Sequence, residues 1–179
     1  MKKLLTGLLS CLCVLALVGC YSQDEKSYEG LDEYENLSKN PVVQTVKFDQ
    51  AKSLLTEGSG VLILSYSACP WCQSAMPVVD EVAKELSLDH VYYLNVKELT
   101  REGENNEYDQ LVELLRDHLV VENGEPVMYV PDVFAVKQGE IVGHHLGTTD
   151  EHDANEREMT DAEKEELVKI YTELFNKTK

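Results

Sequence analysis

The apolar residues of the chain recur with two different spacings, which predict alternating strands and helices. Short runs rich in β-branched and aromatic residues predict strands at 41–48, 61–64, 90–96 and 127–136, the last of them interrupted by Pro131. Apolar residues at every third or fourth position predict a helix after each of the first three strands and another at the C-terminus. This order is typical of α/β proteins, so we expect a central mixed sheet with helices on both faces.

Polar and small residues between these segments predict where the elements begin and end. Asp49 is predicted to cap a helix through Leu55, and Thr160 begins a capping-box pattern with Glu163. Gln138-Gly139-Glu140 predicts a turn, which makes the last two strands an antiparallel C-terminal hairpin. The apolar helical faces predicted to pack on the sheet are Val79, Val82, Ala83 and Leu86; Tyr108, Leu111, Val112, Leu115 and Leu119; and Leu167, Ile170, Tyr171, Leu174 and Phe175.

The N-terminus has the pattern of a targeting segment. Lys2 and Lys3 precede an uncharged stretch from Leu4 to Val18, which is too short for a membrane-spanning helix and runs into Gly19-Cys20. This pattern resembles a bacterial lipoprotein signal. The resemblance implies cleavage before Cys20, acylation of that cysteine, and a lipid anchor that holds the protein at the extracytoplasmic face of the cell membrane. An ordinary secretory signal or an uncleaved anchor is the alternative.

Cysteine usage then leaves one pair. Cys11 and Cys13 would leave with the signal peptide and lipid would cap Cys20, so Cys69 and Cys72 remain. A secreted domain that relies on disulfides for its stability has more pairs and longer loops between them. A bridge between Cys69 and Cys72 would close a very short loop and stabilise little. A single redox-active pair is the simplest interpretation.

Charge and composition predict three regions. Without its first two lysines the chain has 14 basic residues against 33 acidic ones, a formal charge of −19 compared with −17 for the whole sequence. Nucleic acid is a poor partner for such a surface. After the signal at 1–19, residues 20–40 hold six acidic residues and few aliphatic ones, which predicts a lipidated cysteine followed by a flexible linker. Residues 41–179 suit one folded domain.

The candidate chemistry lies in Cys69-Pro70-Trp71-Cys72, between a predicted buried strand and an amphipathic helix. Unsatisfied N–H groups at a helix N-terminus stabilise a thiolate at Cys69, and a thiolate is the nucleophile in disulfide exchange. Helix geometry places Cys72 one turn further on, close enough to bridge. We therefore predict that Cys69 attacks a substrate disulfide and that Cys72 resolves the mixed disulfide.

Two segments resemble the thioredoxin superfamily. Residues 69–83 follow the family's active-site helix, including Pro77, and residues 130–142 are similar to its cis-proline strand and hairpin. The resemblance implies a thioredoxin fold with a cis bond before Pro131. It also implies that the backbone of Val130 hydrogen-bonds an extended substrate segment, as in strand addition.

The same resemblance extends to the rest of the predicted site. Pro131 would lie against the cysteine pair, and Pro70 and Trp71 would meet the substrate. Shielding of the sulfurs is the alternative role for Trp71, the single tryptophan of the chain. The predicted partners are protein thiols and disulfides, together with a membrane protein that exchanges electrons with the pair. The redox-active disulfide Cys69–Cys72 is the expected redox group, with no other cofactor.

The chain also departs from the family. Thioredoxin has a buried carboxylate on the strand before the pair, which helps to move the proton of the second thiol, whereas the corresponding position here is Ile63. The dipeptide Pro70-Trp71 is nearest to the Pro-Tyr of glutaredoxin. Residues 98–126 are longer than the family's connection and are predicted to cover the substrate side.

These features predict an extracytoplasmic thiol-disulfide oxidoreductase, more a reductase than an oxidase. Disulfide insertion or isomerisation, copper delivery by the same fold, and a noncatalytic scaffold are the alternatives. Copper would require a histidine near the pair, because two thiolates do not complete a metal site. His144, His145 and His152 are instead predicted to be exposed on the hairpin, so no metal site is expected.

Overall fold

The computed structural model describes residues 27–104 and 106–179. A short 3-10 helix, Leu31–Glu33, comes first, and another, Arg116–His118, continues the third α-helix. The remaining elements follow in this order: β1 (Val43–Thr45), α1 (Phe48–Glu57), β2 (Gly60–Ser65), α2 (Pro70–Glu85), β3 (Val91–Asn95), α3 (Glu107–Leu115), β4 (Val120–Glu122), β5 (Glu125–Val127), β6 (Asp132–Lys137), β7 (Glu140–Leu146) and α4 (Asp161–Asn176).

Five strands form the central sheet in the order β1-β3-β2-β6-β7. β1 and β2 run parallel to β3, whereas β6 is antiparallel to both β2 and β7. β4 and β5 form a separate two-stranded hairpin. This arrangement confirms the predicted fold class, an α/β thioredoxin fold with a mixed sheet and an antiparallel C-terminal hairpin. It places the strand before the cysteine pair next to the strand that follows Pro131.

Each face of the sheet has its own hydrophobic core because successive side chains of β2 point to opposite faces. Val61 and Ile63 enter the core that α2 and α4 cover. Leu62 and Leu64 enter the core that α1 and α3 cover. The sheet is therefore covered by helices on both faces, as predicted. Cys72 is fully buried in the first core, which places the second thiol among apolar side chains.

The strand predicted over 127–136 with an interruption at Pro131 is instead two separate strands. Val127 ends β5, and the ladder with β2 starts only at Asp132. Pro131 has no N–H to donate to a neighbouring strand, so a proline separates the two elements. The cap predicted at Asp49 is wrong, because α1 begins at Phe48 and Lys47 occupies the N-cap position.

The linker predicted over 20–40 is wrong for residues 27–40, which fold onto the domain. Leu31 and Tyr34 are each 3% exposed and belong to the core beneath α2. The Ser38 hydroxyl donates a 2.7 Å hydrogen bond to Asp80, a buried carboxylate on α2. Burial of these two apolar side chains outweighs the acidic character of the segment, whose carboxylates remain in solvent.

Residues 1–26, with the predicted signal and Cys20, lie outside the described residues. None of the helices in the described ranges combines the length and the apolar character that a membrane crossing requires. Lipid attachment at Cys20 therefore stays a prediction.

Candidate functional site

The cysteine pair lies at the N-terminus of α2, directly after the central strand β2. Cys69 is the N-cap residue and Pro70 the first helical residue, a position whose N–H would have no partner within the helix. The Cys69 sulfur accepts a 3.3 Å hydrogen bond from the backbone N–H of Cys72. The structure therefore brings both predicted redox residues together as free thiols, with Cys69 5% exposed and Cys72 inaccessible.

The two thiols have opposite electrostatic environments. The hydrogen bond from the Cys72 thiol, assisted by the N–H groups of Cys72 and Trp71, lowers the pKa of Cys69 to about 7 against the opposing effect of burial. Burial, followed by the bond to Cys69, raises the pKa of Cys72 well above its ordinary value. At neutral pH about half of the Cys69 side chains are thiolates, while Cys72 keeps its proton. Cys69 is thus the nucleophile of the pair.

Pro131 directly precedes β6, the strand next to the one that leads into the cysteine pair. The Val130–Pro131 peptide bond is cis, and the Val130 carbonyl accepts a 3.7 Å hydrogen bond from the Cys69 thiol. Pro131 is buried and Val130 half-buried. The predicted neighbours Cys69, Val130 and Pro131 therefore meet at one point, where an extended chain in contact with Val130 would pass next to the nucleophilic sulfur.

A groove of about 590 Å³ opens in front of Cys69. Two of its walls are cation–aromatic pairs: Lys97 lies over the ring of Tyr66 at 4.7 Å, and Arg101 lies over the ring of Tyr108 at 3.9 Å. Its other lining residues include Pro70, Trp71, Met128, Tyr129 and Val130. Pro70, Trp71 and Val130 thus share one surface with the nucleophile, and that surface is largely aromatic and apolar.

The region 98–126 contributes to this groove only in part. Arg101 and Tyr108 line it. Leu111 and Leu115 of α3 are instead buried in the second core. The β4–β5 hairpin exposes Val121, which is 64% accessible. The predicted substrate-side cover is therefore mainly a structural helix with one edge at the groove.

Trp71 is held by the loop that follows β7. Its indole N–H donates to the backbone oxygen of His152 at 3.4 Å. His152 is itself buried, with ring nitrogens bonded to the Thr148 hydroxyl at 2.8 Å and to the Arg157 carbonyl at 3.0 Å. The prediction that this histidine is exposed on the hairpin is wrong, because it forms the polar centre of the loop that positions Trp71.

The other two histidines are half-buried rather than exposed. His144 stacks on Phe134 and bonds the buried Asp132 carboxylate at 3.0 Å, and His145 bonds the Thr148 carbonyl at 2.6 Å. The hydrogen bond to Asp132 raises the pKa of His144. Burial raises the pKa of Asp132, although the bond to His144 acts in the opposite direction. Within the described residues, no group of three histidine, cysteine or acidic side chains has the geometry to hold a metal ion.

Behind Cys72 lies a chain of buried hydroxyls that the sequence reasoning missed. Ser65, at the end of β2, is fully buried on the strand face that carries Val61 and Ile63, which is the face of the core that holds Cys72. Its hydroxyl lies 2.7 Å from that of Tyr34, and it lowers the pKa of Cys72 against the effect of burial. The rings of Tyr34 and Tyr93 meet edge to face, and their hydroxyl groups shift each other's pKa. We call Ser65, Tyr34 and Tyr93 the hydroxyl chain. The helical spacing of Tyr34 with Leu31 is the sequence signal that indicated a buried residue in the supposed linker.

No protein-family model matches the chain, and no curated protein matches it. Among solved structures, the chain is similar to thioredoxin from Aeropyrum pernix, with 20% identity over 58% of this chain and 74% of that one and a TM-score of 0.41. It is also similar to thioredoxin O1 from Arabidopsis thaliana in the oxidized state, with 20% identity, 76% and 99% coverage and a TM-score of 0.45. A likeness at this level says nothing about activity, which has to come from the geometry of the site.

Proposed function

We propose that the protein is a thiol-disulfide oxidoreductase that acts on protein substrates. The observation that carries the proposal is the position of Cys69, whose sulfur has a lowered pKa, lies against the Val130 carbonyl and faces an open groove. A structural thiol has no need of a lowered pKa or of access to a groove.

The reaction uses the two thiols in sequence. The Cys69 thiolate attacks one sulfur of a substrate disulfide, and the other substrate sulfur leaves as a thiolate. Cys72 then attacks the Cys69 sulfur, so that a Cys69–Cys72 disulfide forms and the substrate is released fully reduced. Two electrons have then passed from the protein to the substrate. Burial keeps Cys72 away from solvent and other thiols, and it reacts with its partner alone.

The groove favours an extended polypeptide as substrate. The chain next to Cys69 would lie along Val130, with its side chains against Trp71 and the Tyr66 ring. Aromatic and apolar walls accept varied side chains, which suits an enzyme whose clients share a disulfide rather than a sequence.

The expected direction is reduction. A strongly lowered pKa at the nucleophile stabilises the reduced pair and produces an oxidant, and values near 3.5 are typical of such oxidants. A pKa of about 7 for Cys69 corresponds to a weaker preference for the reduced form, as in reductases. Measurement of the reduction potential against glutathione decides between reduction and disulfide insertion.

We further propose that the enzyme works at the extracytoplasmic face of the cell membrane, anchored through an acylated Cys20. Six residues separate Cys20 from Ser27, the first described residue, and they span at most about 25 Å. The folded body would then stay close to the bilayer, within reach of a membrane protein that returns electrons to the pair. Metabolic labelling with a fatty acid, with Cys20→Ser as control, tests the anchor.

The central test is a pair of cysteine variants with matched controls. Insulin reduction with dithiothreitol should require both Cys69 and Cys72. Cys72→Ser should trap substrates as mixed disulfides, whereas Cys69→Ser should trap none, because the buried sulfur does not reach them. Equal trapping by the two variants, or insulin reduction by Cys69→Ser, would contradict the assigned roles. Stoichiometric copper binding by the reduced pair would favour the delivery alternative instead.

A further inference from the structure

The proposed exchange leaves one problem unsolved at Cys72. This thiol must lose its proton to attack Cys69, yet it is fully buried and Ile63 occupies the position of the family's carboxylate. Desolvation of a thiolate in an apolar core is unfavourable unless a donor faces it. The groups that the structure places against the Cys72 sulfur are therefore the ones that have to stabilise its charge.

We propose that the hydroxyl chain takes the place of the missing carboxylate by donating a hydrogen bond to Cys72 as its thiolate forms. Ser65 is the residue that we assign to the reacting sulfur, because it is fully buried in the same core as Cys72, and Tyr34 acts as a positioning residue through its 2.7 Å bond to Ser65. This inference rests on the proposed exchange reaction and assigns it two residues.

A hydroxyl suits this task because it donates one hydrogen bond and accepts others. In the reduced pair the Cys72 thiol donates to Cys69, but in the mixed disulfide Cys69 is no longer a thiolate, and the S–H group of Cys72 can donate to Ser65 instead. When the thiolate forms, the Ser65 hydroxyl turns to donate to sulfur, and Tyr34 supplies the bond that the Ser65 oxygen then accepts across 2.7 Å. The reversal stabilises the anion without a second buried charge, which would repel the thiolate.

Atoms and electrons balance without a further reactant. The Cys72 sulfur forms a bond to the Cys69 sulfur, and the bond from Cys69 to the substrate sulfur breaks with its electron pair. The departing substrate thiolate takes up the proton that Cys72 lost. The hydroxyl chain ends the step with the protons it had at the start, so it changes orientation and not charge.

A purely structural role would predict a different arrangement. Buried hydroxyls need partners, and Ser65 and Tyr34 could satisfy each other without the sulfur. The hydroxyl chain instead lies in the core that holds Cys72, the fully buried thiol whose charge has to change. Tyr34 is brought there by residues 27–40, which the Gln73 side chain of α2 holds through a 2.9 Å bond to the Glu33 carbonyl. The other titratable groups that interact with the sulfur are Cys69, Tyr66, Tyr93 and Tyr171.

The test separates the two thiols in one experiment. Reduced protein reacts with 5,5′-dithiobis(2-nitrobenzoate) in two coloured phases: Cys69 attacks the reagent, and Cys72 then displaces the second thionitrobenzoate. We would follow both phases by stopped flow between pH 6 and 10. Loss of a hydrogen bond to a charged group predicts that Ser65→Ala slows the second phase about 10- to 100-fold at pH 7 and shifts its pH profile upward. Tyr34→Phe should slow it less, by about three- to tenfold, and Ser65→Thr should restore most of the rate.

Tyr171→Phe is the matched control, because the buried Tyr171 hydroxyl has no hydrogen-bond partner among the described residues and its loss leaves the hydroxyl chain intact. The first phase should stay within about twofold of the wild-type rate in every variant, since Cys69 has other donors. An unchanged second phase in both Ser65→Ala and Tyr34→Phe overturns the inference, as does an equal shift in Tyr171→Phe. If Ser65→Ala does not fold, Tyr34→Phe and Ser65→Thr decide. Absence of the first phase in wild-type protein would defeat the proposed function instead.

Discussion

The source of the lowered pKa of Cys69 can be tested by removing one donor. The Cys72 thiol is the largest cause of the shift, and the backbone N–H groups of Cys72 and Trp71 contribute less. Cys72→Ala removes the thiol and leaves both backbone donors in place. Cys72→Ser is the matched control, because its hydroxyl remains a donor at nearly the same position.

The magnitude follows from the size of the shift. A change from 9.0 to about 7 favours the Cys69 thiolate by about 3 kcal/mol. If the Cys72 thiol supplies half of this, Cys72→Ala moves the pKa of Cys69 to about 8, and the thiolate fraction at pH 7 falls about fivefold. A more basic thiolate is also a better nucleophile, by about threefold per pKa unit. The two effects nearly cancel, so the reaction rate at pH 7 should fall by less than about twofold.

The informative quantity is therefore the midpoint of the pH profile and not the rate at one pH. We would measure alkylation of Cys69 by iodoacetamide between pH 5 and 10, with mass spectrometry to confirm a single modification. The expected midpoint is about 7 for the wild type and about one unit higher for Cys72→Ala, with Cys72→Ser between them. A wild-type midpoint near 9, or an unchanged midpoint in Cys72→Ala, would refute the assignment of the Cys72 thiol as the principal donor.

Three further predictions concern stability, each measured by urea unfolding of the reduced protein. Asp80→Ala leaves several donors without their buried carboxylate and should lower the free energy of unfolding by about 3 kcal/mol. The control Glu81→Ala removes an exposed ion pair and should cost less than about 1 kcal/mol. Equal losses would count against a structural role for the buried Asp80 carboxylate. The bond to Asp132 raises the pKa of His144, so the stability that this pair contributes is complete below pH 6.5 and is lost as the pH rises through the raised pKa. Asp132→Asn should therefore flatten the dependence of the unfolding free energy on pH in this range. An unchanged dependence would show that another group titrates. Gly139→Ala should cost at least about 2 kcal/mol, because φ is +78° and the added Cβ would overlap the backbone oxygen of Thr56. A smaller loss would mean that the turn can move.

Local patterns were sufficient for much of the fold. Val61 to Leu64 form an uninterrupted apolar run, and such a run is stable only where both faces of a strand are covered, as in β2. Thr160 and Glu163 form the predicted capping box at the start of α4. These features depend on residues within one turn or one strand of each other, so a single sequence contains the information.

Other elements depended on distant partners. Tyr34 lies in a segment whose acidic composition predicts a linker, and only the pocket formed with Ser65 and Tyr93 makes its burial favourable. The buried environment of His152 has closer partners, because its loop closes on itself through Thr148 and Arg157. The spacing of Tyr34 with Leu31 is a signal of burial, but neither the contact with Ser65 nor the closure of the His152 loop follows from residue spacing.

The sequence by itself determined that this chain carries one pair of cysteines at a strand-to-helix turn, because the spacing of two thiols and the helical period are local properties. The tertiary structure alone decided how the two thiols differ. Burial and a neighbouring thiol set the pKa of each sulfur, and the donors behind Cys72 come from positions 31 residues apart in the chain. Electrostatic interactions depend on distance in space and on exclusion of water, and folding establishes both.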